Sequence, residues 1–121
     1  MSCEELFRRT LKQHGLRMTH QREAVLQAMH QSPQAVSVET IYARAADTLP
    51  NLDLSTVYRT LDLFQQFGLV SVVHVQGVRY YEHIGLHEPH VHLSCTQCGK
   101  IFNVPLAEAD PLLRGLAEKY H

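Results

Sequence analysis

The sequence predicts an α+β fold: an N-terminal winged helix-turn-helix over residues 1–82, then a small α/β unit. Three observations predict it. Helical apolar spacing runs through about the first four fifths of residues 1–82. At Leu69 the pattern gives way to two β-rich runs around a Gln76-Gly77 turn signal. After a segment rich in His, Gly and Pro, a Cys-x-x-Cys turn sits between two strand-like runs and ahead of a last amphipathic segment. Short helices followed by a hairpin is the winged-helix order.

Leu6, Phe7 and Leu11 give a first helix over 4–14, with Gly15 placed to end it. Thr19 can cap a second helix over 20–30, which carries Ala24, Val25, Ala28 and Met29 on one face. Ser32-Pro33 breaks it, and Ser37 can cap a third helix with Val38, Ile41, Tyr42 and Ala45 at i, i+3, i+4 and i+7. Pro50-Asn51 closes that segment. Asp53 or Ser55 can cap a fourth helix on the Val57, Leu61, Phe64 stripe, ended by Gly68. Residues 69–75 and 78–82 then pair as a hairpin. Residues 83–92 read as a linker or hinge, and residues 93–121 as the second unit. In that unit Asp110-Pro111 is the expected start of the last helix, as cap and first helical residue. Two strands and one helix bury little, so this unit needs a partner surface.

The composition bounds the function. The chain has 121 residues, with 11 Lys+Arg against 12 Asp+Glu, which excludes a polycation that binds nucleic acid by bulk charge. No run approaches the ~20 apolar residues of a membrane helix, and the N-terminus lacks a signal-peptide core, so a cytoplasmic protein is expected. Three cysteines in a reducing compartment point to metal or redox chemistry rather than a disulfide framework. Histidine is in excess at nine, and four (His83, His87, His90, His92) fall within ten residues.

The fourth helix suits DNA recognition. Ser55, Thr56, Tyr58 and Arg59 lie off its core stripe. Hydroxyls and Arg contact phosphate, and Arg also pairs with guanine. Arg17 and Arg22 flank the start of the second helix, within reach of a DNA backbone. A solvated helix face is the other reading, and winged helices also serve protein contacts. Residues 1–70 carry no net charge, so affinity for DNA must come from placed contacts and from dimeric avidity.

The metal chemistry lies further on. Cys95-Thr96-Gln97-Cys98-Gly99-Lys100 resembles a zinc knuckle, whose two thiolates take one ion at ~2.3 Å, but a tetrahedral site needs four ligands, so this is half of one. Inert or redox thiols are the alternative. His90-Val91-His92 places two imidazoles on one side of a strand, where both can bind one metal, and Glu82 adds an oxygen donor. Mixed nitrogen and oxygen ligation suits Zn(II), Fe(II), Mn(II) or Ni(II) without choosing among them. His14, His20 and His30, in the helical part, read as incidental.

Three segments occur in order: Gly15-Leu16-Arg17-Met18-Thr19-His20-Gln21-Arg22, Ser55-Thr56-Val57-Tyr58-Arg59-Thr60-Leu61, and His90-x-His92-x-x-Cys95-x-x-Cys98-Gly99-Lys100-Ile101. Together they resemble the ferric uptake regulator family of bacterial metalloregulators, over about residues 5–120. The resemblance implies a metal-responsive repressor of metal-uptake or related genes. It implies a homodimer whose second unit is the dimerisation domain, and which binds palindromic double-stranded promoter DNA when metal occupies a sensing site. Tyr58, Arg59 and Arg17 match DNA-contacting positions. Glu82, His90 and His92 match ligands of the sensing site, for Fe(2+), Zn(2+) or Mn(2+). Cys95 and Cys98 match half of a structural Zn(2+) site.

The sequence also departs from the family pattern. Ala35 stands where many members have a His ligand, Asn103 where many have an acidic one, and the spacing from Glu82 to His90 is one or two residues longer than usual. Pro89 and Val91 stand where iron-type members often carry ligands of another site. Family members continue past residue 121 into another strand, often with a second Cys-x-x-Cys. His74, His83, His87 or Glu88 can complete a depleted sensing site, with His87 the first choice because it lies three residues before His90. Two other regulators fit: a metal-independent winged-helix protein that has lost the sensing site, and a peroxide sensor, which Asn103 disfavours. A metalloenzyme built on Glu82, His90 and His92 lacks an accompanying nucleophile or cofactor loop.

Overall fold

A computed structural model describes residues 3–31, 34–83 and 89–121. The chain divides into two compact units, Met1–Leu86 and His87–His121.

In the first unit, α1 spans Cys3–Gln13, α2 His20–His30, α3 Val38–Thr48 and α4 Leu54–Gln66, followed by β2, Val70–Val75, and β3, Val78–His83. A two-residue strand, β1 (Val36–Ser37), precedes α3 and completes a three-stranded antiparallel sheet in the order β1-β3-β2. The caps follow from side-chain chemistry: Thr19 accepts from the Arg22 amide, Ser37 from the Thr40 amide, and Asp53 from the Thr56 amide at 2.7 Å. Asp53 is therefore the cap of α4, and the Ser55 hydroxyl donates to its carboxylate at 2.9 Å. Gly15 and Gly68 follow α1 and α4 with φ of +75° and +72°, the left-handed conformation that ends a helix at little cost to glycine.

The core of this unit is shared by all four helices and the sheet. Phe7 meets Phe64 edge to face, with ring centroids 5.0 Å apart, which fixes α1 against α4. Val25, Leu26, Ile41, Val57, Leu61 and Tyr81 are fully buried around them. Leu26 lies outside the stripe expected for α2. It is buried because α2 packs against α3, α4 and β3 together, so more than one of its faces is covered. The β2–β3 turn is Gln76-Gly77, and Val75 pairs with Val78. Both turn residues have positive φ, as a two-residue hairpin with right-handed strand twist requires.

In the second unit β4, His90–Ser94, pairs antiparallel with β5, Ile101–Pro105, and α5, Leu106–Tyr120, follows. Two expectations change here. β3 runs through His83 and β4 starts at His90, so strand pairing claims both ends of the segment read as linker. The last helix begins at Leu106, and Pro111 lies inside it. Leu106–Ala109 is a run of good helix formers, and Asp110 pairs with Arg114 one turn on, at 2.8 Å, rather than capping.

Among the described residues of this unit, Ile101 is the buried hydrophobic one. Leu93 and Phe102, paired across the strands, are 59% and 40% exposed, and Leu112, Leu113, Leu116 and Tyr120 of α5 are exposed as well. Among the described residues, no helix is long and apolar enough to cross a membrane.

Candidate metal centre and nucleic-acid interface

The recognition-helix candidates sit at the start of α4. Ser55 and Arg59 are exposed, while Thr56 and Tyr58 are half-buried, Tyr58 against the core. The Arg59 guanidinium donates to the Thr56 hydroxyl at 3.2 Å, a bond within the helix that leaves most of its donors for another acceptor. Arg22 donates to the Arg17 carbonyl at 2.7 Å, so one candidate positions the backbone that carries another. Arg22, Thr56 and Arg59 line one cleft with Thr19, and Arg17 lies beside it, exposed. Hydrogen bonds from Thr56 and Ser55 hold the Asp53 carboxyl below the usual carboxylate range. The cap thus stays ionised and keeps the hydroxyls at the tip of α4 oriented.

Glu82 lies on β3, opposite Ser71, whose hydroxyl donates to its carboxylate at 3.4 Å. His90 and His92 lie on β4, on the same face by strand alternation, with ring centroids 5.0 Å apart and planes nearly perpendicular. Two neutral imidazoles at that separation can turn one nitrogen each toward a shared cation, so the donor set fits a divalent metal. Asn103 is directly opposite His92 in the sheet, placing a neutral carboxamide beside the histidine pair. His87 lies outside the described residues.

Cys95 and Cys98 flank the β4–β5 turn. The Gly99 amide donates to the Cys95 carbonyl at 2.9 Å, and the Cys95 amide to the Lys100 carbonyl at 2.8 Å. Gly99 has φ +75°, and a Cβ there would meet no atom within 4 Å, so conformation rather than crowding demands glycine. Amides of Cys98 and Gln97 directed at the Cys95 sulfur, with the Cys98 thiol, pull the Cys95 pKa down. A turn that favours thiolate fits a thiophilic ion. Among the described residues, no third His, Cys, Asp or Glu joins this pair, and all three cysteines are free.

Sequence reasoning missed one grouping in the first unit. His30 and His83 have ring centroids 4.4 Å apart, and His83 contacts Cys3. The excess of histidine was the available signal, but the helical spacing of His30 gave no hint of its neighbour on β3.

Known proteins share this fold. The ferric uptake regulator family matches residues 13–121. The ferric uptake regulation protein of Vibrio anguillarum is 30% identical over 112 residues, covering 92% of this chain and 75% of that protein. The peroxide-responsive repressor PerR of Staphylococcus aureus is 29% identical over 105 residues, covering 87% and 70%. Among solved structures, Fur of Helicobacter pylori, described with three functional metal binding sites, superposes with a TM-score of 0.80 at 29% identity over 100% of this chain and 83% of that one. A zinc-bound manganese uptake regulator gives 0.80 at 27% identity, over 99% and 88%. With a winged helix-turn-helix, a His pair on β4 and a Cys-x-x-Cys turn in the family's order, the chain belongs to the ferric uptake regulator family of metal-responsive transcriptional regulators.

Proposed function

We propose that this protein is a cytoplasmic, non-enzymatic homodimeric repressor whose grip on palindromic operator DNA depends on a divalent metal held by Glu82, His90 and His92. The observation that carries the reading is the His90–His92 pair on one face of β4, in a chain whose other unit is a winged helix. His87 is the proposed fourth ligand on chemistry and spacing alone. Zn(II), Fe(II) and Mn(II) all suit this donor set. The bound cation supplies a link between Glu82 of the first unit and the histidines of the second.

Arg17, Arg22, Ser55, Thr56, Tyr58 and Arg59 are the proposed DNA contacts. Their number is small and the unit is not basic, so one copy binds weakly and two recognition helices at half-site spacing are needed. The exposed apolar residues on β4, β5 and α5 support a second copy as the partner surface of residues 93–121. Cys95 and Cys98 contribute two thiolates to a structural Zn(II). The test is operator binding by the stripped protein with and without each metal. Affinity should rise with at least one metal in the parent chain and not in His90→Ala; affinity unchanged by every metal sinks the proposal.

A second reading rests on Ala35 and Asn103, which replace two ligand types of the family: the protein regulates without metal. Anaerobic purification with no transition metal bound to Glu82, His90 and His92 would support it. The peroxide-responsive relatives raise a third, but Asn103 removes the carboxylate that the resemblance assigns to the sensing site.

A further inference from the structure

Three side chains in the first unit converge and take no part in the function proposed above. Cys3 opens α1, His30 closes α2 and His83 ends β3. The Cys3 sulfur lies 3.3 Å from Nδ1 of His83. The rings of His30 and His83 are 4.4 Å apart at a 57° tilt. One potential ligand atom from each residue lies within 4.8 Å of the other two. All three residues are half-buried. Metal bonds of ~2.3 Å to sulfur and ~2.0–2.1 Å to imidazole nitrogen set ligand separations of roughly 3.3–3.8 Å in tetrahedral or trigonal geometry. The Cys3–His83 distance already falls there, and small side-chain rotations bring in His30.

We propose that Cys3, His30 and His83 form a metal site of their own within the winged-helix unit, taking a thiophilic d10 cation, Zn(II) or Cu(I). One thiolate and two imidazoles with no carboxylate select against Mg(II), Ca(II) and Mn(II), which prefer oxygen. The site differs in kind from the oxygen-and-nitrogen set proposed for sensing, and it stands or falls independently of it. Burial pushes the Cys3 thiol pKa up, so the side chain enters as a thiol and gives up one proton for each metal bound. Its ligands come from the start of α1, the end of α2 and the end of the hairpin. Loading therefore ties the hairpin to the helices that carry the core.

The experiment uses the full chain, stripped of metal under anaerobic reducing conditions and titrated separately with Zn(II) and with Cu(I) against a chromophoric chelator. Cys3→Ser and His30→Gln should each bind one equivalent fewer than the parent, while His90→Ala retains that equivalent. Loss of a Zn(II) equivalent assigns zinc, and loss confined to Cu(I) assigns copper. A Cys95→Ser/Cys98→Ser variant loaded with Co(II) should keep a near-ultraviolet thiolate charge-transfer band that disappears when Cys3→Ser is added. Cys3→Ser lies at the first residue of α1 and carries the test if His30→Gln does not fold. Equal stoichiometry in the parent chain and Cys3→Ser for both metals overturns the proposal, and absence of the cobalt band overturns it for zinc.

Discussion

Val57 and Arg59 are two residues apart on α4, and the structure gives them opposite surroundings. Val57 is 0% exposed in the core, whereas Arg59 is exposed and bonds only within its own helix among the contacts described. Val57→Ala removes two methyl groups from a packed site. At about 0.8 kcal/mol per buried methylene-sized group, plus a cavity term, the loss is roughly 2–3 kcal/mol. In a unit of this size each kcal/mol moves Tm by about 4–8 °C, so a fall of roughly 8–24 °C is expected. Arg59→Ala removes one of the proposed phosphate or base contacts, worth about 1–3 kcal/mol per half-site, at under about 0.5 kcal/mol of stability. Urea denaturation and anisotropy titration of operator DNA, done below the melting range of both variants, separate the two effects. Val57→Ala should lose stability and keep its DNA affinity where folded; Arg59→Ala should do the reverse, weakening binding at least fivefold. Equal loss of stability in the two variants, or operator affinity unchanged in Arg59→Ala, would refute the assignment of the two faces.

Glycine substitutions test the Cys95–Lys100 turn. Gly99→Ala must hold a Cβ at φ +75° and should cost about 1–2 kcal/mol, whereas Gly115→Ala, inside exposed α5 with open space around it, should gain about 0.5–1 kcal/mol; chemical denaturation reads both. The Asp53 cap gives a pH signature. Its folded pKa is lowered, so its contribution is present above the unfolded value of about 3.9 and fades as pH falls through the folded one. The Tm gap between the parent and Asp53→Ala should therefore be wide at pH 6 and narrow below pH 4. Asn103→Asp puts a carboxylate directly opposite His92 and should tighten divalent-metal binding by about tenfold, read by chelator competition.

Most of the first unit was legible because its signals are local. Thr19, Ser37, Gly15 and Gly68 mark helix ends by chemistry that needs no tertiary context, and Gln76-Gly77 announces its turn through backbone conformation. The choice between Asp53 and Ser55 as the cap was not legible. Both are good acceptors, and the decision lies in a 2.7 Å bond from the Thr56 amide. β1 escaped because two residues carry no periodicity; Val36 and Ser37 become a strand only by pairing with Tyr81 and Tyr80. The start of α5 was misplaced because Asp-Pro is a strong capping signal that here yields to the helix formers before it. In the site, the H-x-H and C-x-x-C spacings declare their own geometry. The grouping of Cys3 with His30 and His83 spans 80 residues from first to last, and no spacing rule reaches that far.

The near-cancelled charge constrains the regulatory logic more than any single ligand does. A strongly basic winged helix would stay on DNA whatever its metal status, and metal could then modulate only the margin. In the function proposed here, weak bulk attraction makes operator binding depend on the placement of two recognition helices, so geometry becomes the controlling variable. A cation shifts such an equilibrium only by its differential affinity for the DNA-competent arrangement. His90 and His92 alone cannot provide that difference, because both lie on β4 and bind equally well in either arrangement. Glu82, on β3, is the proposed ligand whose participation depends on the arrangement. In the proposed site the histidines therefore set how tightly metal is held, and Glu82 sets how much that binding changes DNA affinity.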